Sequence, residues 1–380
     1  MIAVSIIVPV FNMQDYLKIC LDSVLQQSLE QIEIICIDDG STDNSGEMLD
    51  EYQKQDSRVK VIHQKNMGVG VSRNRGIIEA IGEFIAFMDP DDYYPDKDVL
   101  KDLYNAAVKH GVFIAGGSFC EDHDGKIVYN YPAALQDYIF KENRIMDYQE
   151  HQFDFGYIRF IYSKNFLVEN NIFFPNYIRF QDPPFFVKAM ITAKQFYAMK
   201  RFAYCYRWGY QKIDWNIRRT TDMVKGVIDD IEMSKNSRLS KLHRISISRL
   251  ENSGFDAICK NLTSQNLELF FLLLRANSLI DIELLKTENE FVESPYILKP
   301  LKYLLEKNDT GNIRRLTNEL NQAKRDLENI QNSRSFKIGR FITFIPRKIR
   351  GGIHCYQEHG MKYTLKQVKQ KTLKLFRRTK

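Results

Sequence analysis

Two clusters of carboxylates in the first hundred residues each follow a short apolar segment. The first is DDGS at residues 38–41, and the second is DPDD at residues 89–92. A carboxylate at the end of a strand can accept a hydrogen bond from the N3–H group of uracil, which cytosine lacks. Two acids in a D-x-D arrangement can hold a hard divalent cation, which stabilises the charge on a departing nucleoside diphosphate. Each cluster alone is also typical of an acidic turn or a capped helix start, so their combination is the informative observation.

The segments before these acids predict the strands that position them. Nearly continuous apolar runs cover residues 4–10, 33–38, 59–62 and 84–88. Between these runs the apolar residues recur at helical spacing, as they do over residues 17–25. Strands that are apolar on both faces and alternate with helices predict an α/β fold with a mostly parallel sheet covered on both sides. Ligands of such sheets bind beyond the carboxyl ends of the strands, where both acidic clusters fall.

Four segments occur in an order and spacing that carry a family resemblance. They are VSIIVPVFN at residues 4–12, IDDGSTD at 37–43, GVSRNRG at 70–76 and GEFIAFMDPDD at 82–92. Together they resemble the family 2 glycosyltransferases of GT-A fold, closely over residues 1–110 and more loosely to residue 215. The resemblance implies a Rossmann-like GT-A sheet with flanking helices and an inverting transferase that uses a nucleotide-diphospho sugar.

The resemblance also implies roles for individual residues on the donor side. The donor nucleotide is expected to contact five residues, namely Pro9, Phe11, Asp39, Arg73 and Asp89. Within this set Asp39 reads the base, and Arg73 lies near the diphosphate. Asp91, helped by Asp89, is expected to bind Mn²⁺ or Mg²⁺. Family members usually carry Ser or Ala where this chain has Pro90, a difference that leaves both carboxylates in place.

Inverting transfer is a single displacement, and it needs a base that takes the proton from the acceptor hydroxyl. In the family this base is an acid in an E-D or similar dipeptide roughly 90 residues after the D-x-D pair. Asp182 fits by resemblance, because it lies 91 residues after Asp91, although Gln181 stands where the preceding Glu is usual. The alternative, which is compatible with the role as base, is that Asp182 caps a helix that starts at Pro183, since proline favours the first helical turn.

The segment around this acid is rich in aromatic residues. Within the 30 residues 157–186 we single out eight of them as the aromatic window: Tyr157, Tyr162, Phe173, Phe174, Tyr177, Phe180, Phe185 and Phe186. We expect this window to form part of the platform on which the acceptor lies.

Charge is distributed unevenly along the 380 residues. The chain carries 54 Lys and Arg residues against 48 Asp and Glu residues, a net charge of +6. Residues 331–380 hold 14 of these cations and one acid, so their net charge is +13 against −7 for the rest. Because apolar residues are interleaved with the cations over 336–345, the tail is predicted to lie on an anionic membrane surface. The alternative is a solvated basic helix docked on the acidic body; a nucleic-acid partner is not expected, since the body shows no such module.

We predict five regions along the chain. They are a nucleotide-sugar-binding half at 1–105, an acceptor-binding half at 106–218, a helical region at 219–308, a coiled-coil-like helix at 309–334 and the basic amphipathic tail at 335–380. An a/d seam from Ile313 to Ile330 indicates a short coiled coil and a homodimer. No apolar run of spanning length and no cationic leader occur. We therefore expect a cytoplasmic protein, peripheral on the inner face of the cell membrane.

These observations lead to one functional expectation and two alternatives. The expectation is an inverting hexosyltransferase that moves a sugar from a UDP-sugar to a hydroxyl of a lipid-linked saccharide in the assembly of a surface polysaccharide such as a capsule. A sugar nucleotidyltransferase is the first alternative, but it usually has a Gly-rich loop with Arg and Lys where this chain has PVFN at residues 9–12. The second is a non-catalytic scaffold, which would need neither the D-x-D pair nor Asp182.

Overall fold

The computed structural model describes residues 2–129, 138–208, 214–262, 267–286 and 296–307. Residues up to Leu304 form one compact unit. The predicted coiled-coil-like helix and the basic tail lie outside the described residues. The predicted boundary at residue 105 falls inside a helix, and the one at residue 218 falls in the first turn of another.

The first quarter of the chain forms four parallel strands and three helices. The strands are β1 (Val4–Val10), β2 (Ile32–Asp38), β3 (Val59–His63) and β4 (Phe84–Phe87). The helices are α1 (Leu17–Leu25), α2 (Ser45–Gln55) and α3 (Val69–Glu79). All residues of β1 and β4 are buried, as expected of strands covered on both faces. The strand pattern read from the sequence is therefore confirmed for this part of the chain.

The next segment extends the same sheet with strands of both directions. Its strands are β5 (Ile114–His123), β6 (Lys126–Val128), β7 (Arg144–Asp147), β8 (Phe160–Ser163) and β9 (Gln195–Arg207). Its helices are α4 (Val99–His110), α5 (Tyr148–His151), α6 (Lys164–Glu169) and α7 (Asp182–Ala193), with a 3₁₀ turn at Tyr157–Arg159. Among the described residues the order is β3-β2-β1-β4-β8-β5-β9-β7, with β6 paired to β5.

Strand directions bring the carboxyl ends of six strands to one edge. Strands β1 to β4 are mutually parallel. Strand β8 is antiparallel to both β4 and β5, and β9 is parallel to β5. Strands β1 to β5 and β9 therefore share one direction, and the loops that follow them meet at the same edge of the sheet. This mixed sheet places both acidic clusters on the same side of the molecule as the end of β9.

Buried residues form one hydrophobic cluster on each face of the sheet. Helix α3 lies close to β1, because Gly76 leaves no side chain between them. A Cβ atom at position 76 would lie 2.4 Å from Cγ2 of Ile7. This close approach holds α3, and with it the side chain of Arg73, against the centre of the sheet.

Helices follow the sheet, as the sequence predicts. They are α8 (Ile217–Asn236), α9 (Ser240–Ser248), α10 (Phe255–Asn261), α11 (Leu267–Leu279), α12 (Ile282–Leu285) and α13 (Lys299–Lys307), with a π-helical segment at Arg249–Ser253. Helix α8 packs against α7, α9 and α11. Within the described ranges, none of these helices combines the length and the apolar composition that crossing a bilayer requires.

Candidate active site

The second acidic cluster lies just beyond β4 and is held by the end of β9. The backbone N–H of Asp89 donates to Tyr204 Oη at 3.1 Å, and this hydroxyl donates to Asp92 Oδ2 at 2.8 Å. Asp92 Oδ1 accepts from the backbone N–H of Arg207 at 2.7 Å. Burial, together with the charges of Asp91 and Asp89, raises the pKa of Asp92 well above its ordinary value. Asp92 is thus a buried structural acid that fixes the turn, while the D-x-D pair of Asp89 and Asp91 is only partly buried.

Arg73 joins this cluster to Asp182. Its Nη2 donates to Asp89 Oδ1 and its Nη1 donates to Asp182 Oδ1, each at 2.7 Å. The guanidinium lies over the rings of Tyr157 and Phe174, at 5.0 and 5.3 Å from their centres. Only 3% of Arg73 is exposed. We refer to this arrangement of Asp89, Arg73 and Asp182 as the Arg73 bridge.

The proposed base occupies the first position of α7. The capping position is Gln181, which makes no side-chain cap hydrogen bond, and the Asp182 carboxylate bonds to Arg73. The alternative that Asp182 caps this helix is therefore wrong. Burial raises the pKa of the Asp182 carboxyl above its usual range; the positive charge of Arg73 opposes the rise, and the negative charge of Asp89 adds to it. About a third of the side chain remains accessible, at 37%, so the carboxylate can meet a substrate.

The first acidic cluster organises the loops on the nucleotide side. The Asp39 carboxylate accepts hydrogen bonds from Gln64 Nε2, Met67 N–H and Gly68 N–H, each at 2.8 Å. These three bonds shape the loop between β3 and α3. A carboxylate offers about four acceptor positions, so Asp39 retains capacity for one more donor.

Two further residues predicted for the nucleotide pocket lie at the end of β1. Pro9 is buried within the strand, and Phe11 directly follows it with 43% of its surface exposed. The next residue, Asn12, accepts a hydrogen bond on its side-chain oxygen from the backbone N–H of Thr42 at 2.8 Å. This bond ties the loop after β1, which contains the exposed Phe11, to the loop after β2, which contains Asp39.

The aromatic window does not form the platform that the sequence predicts. Five of its eight members are buried, namely Tyr157, Tyr162, Phe174, Phe185 and Phe186. The rings of Phe174 and Phe185 stack 3.9 Å apart beneath Arg73, and both contact Phe87 of β4. These rings shield the guanidinium of Arg73 from water. Exposed aromatic side chains at the strand ends include Phe11, Tyr206 and Trp208.

Sequence reasoning assigned no role to His63, which the structure places between two acids. Its Nδ1 lies 2.8 Å from Asp38 Oδ2, and its Nε2 lies 3.0 Å from Asp50 Oδ1. These contacts, the one with Asp38 above all, raise the pKa of His63. Burial opposes ionisation of Asp38, but hydrogen bonds from Ser41 and His63 outweigh it and lower the pKa of Asp38. Asp38 thus supports the loop after β2. Asp39 is the acid with remaining capacity to accept a hydrogen bond.

The donor set at the D-x-D pair fits a hard divalent cation. The described hydrogen bonds to the Asp89 carboxylate reach Oδ1 only, from Arg73 and Tyr157, which leaves Oδ2 for a cation. Within the described residues, no group of three or more His, Cys, Asp and Glu side chains has the geometry of a metal site. A cation at Asp89 and Asp91 would therefore complete its shell with water and diphosphate oxygens, the usual arrangement for Mg²⁺.

Comparisons with known proteins agree with this geometry. The family model described as glycosyl transferase family 2 matches residues 5–173. The uncharacterized glycosyltransferase EpsJ of Bacillus subtilis is 33% identical over 209 residues, which cover 54% of this chain and 60% of that protein. Glycosyltransferase GlyG of Streptococcus pneumoniae is 33% identical over 212 residues, which cover 54% of this chain and 70% of GlyG. The poly(ribitol-phosphate) beta-glucosyltransferase of Bacillus spizizenii is 34% identical over 211 residues, 53% of this chain and 32% of that enzyme.

The fold is shared with a solved structure. TarS residues 1–349 of S. aureus superimpose with a TM-score of 0.60 at 20% identity, over 74% of this chain and 82% of that one. This likeness confirms the predicted GT-A architecture. The match to GlyG covers more than two thirds of that relative, and the family model covers the strands and loops that carry both acidic clusters. The chain therefore belongs to the family 2 glycosyltransferases.

Proposed function

We propose that this chain transfers a sugar from a UDP-sugar to a hydroxyl of a lipid-linked saccharide acceptor during the assembly of a surface polysaccharide, with inversion at the anomeric carbon. The observation that carries the proposal is the Arg73 bridge, because it holds a partly accessible acid beside the D-x-D pair. TarS has been solved with UDP and with UDP-GlcNAc, which supports a uridine nucleotide as the donor. The relative from Bacillus spizizenii is a poly(ribitol-phosphate) glucosyltransferase, which supports a polymeric surface acceptor.

The donor would lie across the carboxyl ends of β1, β2 and β4. In this proposal Asp39 accepts the uracil N3–H with its remaining acceptor capacity, and Pro9 and Phe11 line the base. Mn²⁺ or Mg²⁺ bound by Asp91 and Asp89 would stabilise the negative charge of the departing diphosphate. Arg73 orients Asp89 through its Nη2, so the buried guanidinium acts on the donor through this carboxylate.

Asp182 would act as the base on the acceptor side. Its Oδ1 is held by Arg73, so Oδ2 takes the proton of the acceptor hydroxyl. The hydroxyl oxygen of the acceptor forms its bond to the anomeric carbon at the same time. The carbon–oxygen bond to the diphosphate breaks on the opposite face, which gives inversion. Burial raises the pKa of the Asp182 carboxyl, and the positive charge of Arg73 opposes this rise and so favours the ionised form that acts as a base.

The same proposal includes the location and assembly of the chain. The net charge of +13 over residues 331–380 supports association with anionic lipid on the inner face of the cell membrane. The a/d seam from Ile313 to Ile330 supports a homodimer. A peripheral enzyme meets a lipid-linked acceptor more often, because both are confined to the same surface.

Release of UDP tests the proposed function. The full chain is incubated with a panel of UDP-sugars and a lipid-linked saccharide, with Mn²⁺, with Mg²⁺ and with EDTA. We expect UDP release with at least one donor, and a loss of transfer by about 10²-fold in Asp182→Asn, the usual contribution of a general base. Glu169→Gln is the matched control, because this exposed acid lies at the end of α6.

Three outcomes would contradict the proposal. Release of pyrophosphate in place of UDP would indicate a nucleotidyltransferase. Failure to act on any UDP-sugar would indicate a scaffold. Transfer by Asp182→Asn at the rate of the control would mean that the base is another group.

A further inference from the structure

A short turn lies directly before Asp182 and is fixed to α8. The turn comprises residues 177–180. Tyr177 Oη donates to Asp229 Oδ2 at 2.8 Å, and the backbone N–H of Ile178 donates to Asp222 Oδ2 at 3.0 Å. Asp222 and Asp229 lie about two helical turns apart on the same face of α8. The two bonds therefore hold the turn along the helix.

A third contact makes the turn rigid. Phe180 has a φ of 66°, in the left-handed region that costs a bulky residue energy. Its carbonyl oxygen approaches α8 at Gly226, where a Cβ atom would lie 2.4 Å from that oxygen. Strained backbone of this kind persists only where surrounding structure over-determines it, and such positions cluster at functional sites.

The turn presents Arg179 beside the base. Arg179 is exposed, and its guanidinium carbon lies 5.9 Å from the ring centre of Trp215. In the part of the chain that the structure describes, no carboxylate forms a salt bridge with it. Its charge reaches Asp182, whose pKa is raised by burial and lowered by Arg73 and Arg179. A cation on an anchored turn, within cation–π distance of an aromatic ring and with no salt bridge among the described residues, is available to bind an anion.

The other two arginines near the site face different groups. Arg73 is buried, and both of its terminal nitrogens are used by acids. The guanidinium of Arg207 lies over the rings of Tyr16 and Tyr93, at 5.4 and 5.5 Å. It therefore points towards the loops after β1 and β4, on the donor side. Arg179 instead belongs to the turn of the base and contacts the segment that leads into α8.

We propose that Arg179 binds an oxyanion of the acceptor, a phosphate or a carboxylate next to the hydroxyl that Asp182 deprotonates. This inference rests on the proposed function and adds that the acceptor is anionic next to the reacting hydroxyl. A bidentate Arg–oxyanion contact would orient the hydroxyl towards Asp182, because the anchored turn that carries Arg179 leads into the first residue of α7.

The two tryptophans of the chain allow a direct test. Trp208→Phe leaves Trp215 as the single tryptophan. Its fluorescence then reports on changes around the nearby guanidinium of Arg179. The full chain with this substitution is saturated with UDP and Mn²⁺ and then titrated with glycerol 3-phosphate, with glycerate and with neutral glycerol. We expect a saturable change with at least one of the two anions and none with glycerol.

Substitutions in this background identify the binding group. Arg179→Gln should weaken anion binding about ten-fold or more, the loss of a charge-assisted hydrogen bond. Arg179→Lys should recover part of it. Lys109→Gln is the control, because it removes the same charge from the exposed end of α4 at the opposite edge of the sheet.

Each contrary result overturns the inference. The first is an anion response that occurs only when the titration is repeated without UDP, which would assign Arg179 to the donor diphosphate. The others are an equal response to glycerol, and no saturable response to either anion with or without UDP. The UDP-release assay is separate, so an inactive protein that still binds the anion at Arg179 would refute the proposed function alone.

Discussion

Removal of Arg73 should uncouple the base from the D-x-D pair. Arg73→Met deletes both hydrogen bonds of the bridge, whereas Arg73→Lys keeps a charge that can reach only one acid. Breaking a buried ion pair typically costs about 3–5 kcal/mol. Asp89 and Asp182 keep 25% and 37% exposure, so water partly replaces the lost partner. We therefore expect Arg73→Met to lower the free energy of unfolding by about 3 kcal/mol, the low end of that range.

Activity should fall more than stability suggests. Displacement of a reacting group by about 1 Å can cost 10²-fold in rate, and Arg73→Met releases Asp182 from a 2.7 Å contact. The direction in which the pH dependence of transfer should shift follows from the protonation of Asp182. Transfer requires ionised Asp182, and Arg73 lowers the pKa of this carboxyl. In Arg73→Met the pKa rises, so the acid limb of the transfer rate should move to higher pH, and it should move less in Arg73→Lys.

Thermal unfolding and a pH profile of kcat for transfer check this prediction. Arg58→Met is the matched control, because Arg58 pairs with Asp56 at 2.8 Å and lies directly before β3, at the end of the strand that is opposite the site. The control should keep the pH profile. The reasoning is refuted if Arg73→Met unfolds at the wild-type temperature, or if its acid limb coincides with that of the control.

Four further predictions concern separate parts of the chain. Asp91→Asn should abolish the Mn²⁺-dependent part of UDP binding in calorimetry, and full turnover in excess EDTA would contradict this. Asp230 is fully buried, and neither carboxylate oxygen has a partner. Burial raises its pKa above the unfolded value of about 4. Stability should therefore fall as pH rises above the unfolded value of about 4, and Asp230→Asn should flatten this slope of Tm. Gly226→Ala should displace Phe180 and slow transfer while UDP still binds, and wild-type transfer would show that the turn tolerates the methyl group. Deletion of residues 335–380 should release the protein from phosphatidylglycerol vesicles in a pelleting assay, and equal pelleting would place the anchor in the body.

The local pattern of apolar residues was sufficient to predict the strands in the first part of the fold. The strands found at Val4–Val10, Ile32–Asp38 and Phe84–Phe87 agree with the apolar runs within one or two residues. A strand covered on both faces is apolar at nearly every position, so its limits are visible in the sequence. For the same reason the acids that follow these runs could be assigned to the carboxyl edge of the sheet. The helical character after residue 217 was visible as well, since its apolar residues recur at helical spacing.

Tertiary structure alone decided how the site is assembled. Arg73 and Asp182 lie 109 positions apart, and Asp89 and Tyr204 lie 115 apart. No local pattern encodes which of many charged or aromatic side chains meet across such separations. The aromatic window shows the same limit, because its composition fits an exposed platform and a buried core equally well. It became the core beneath Arg73, since α7 packs these rings against the sheet and leaves the accessible aromatic surface to residues at the strand ends.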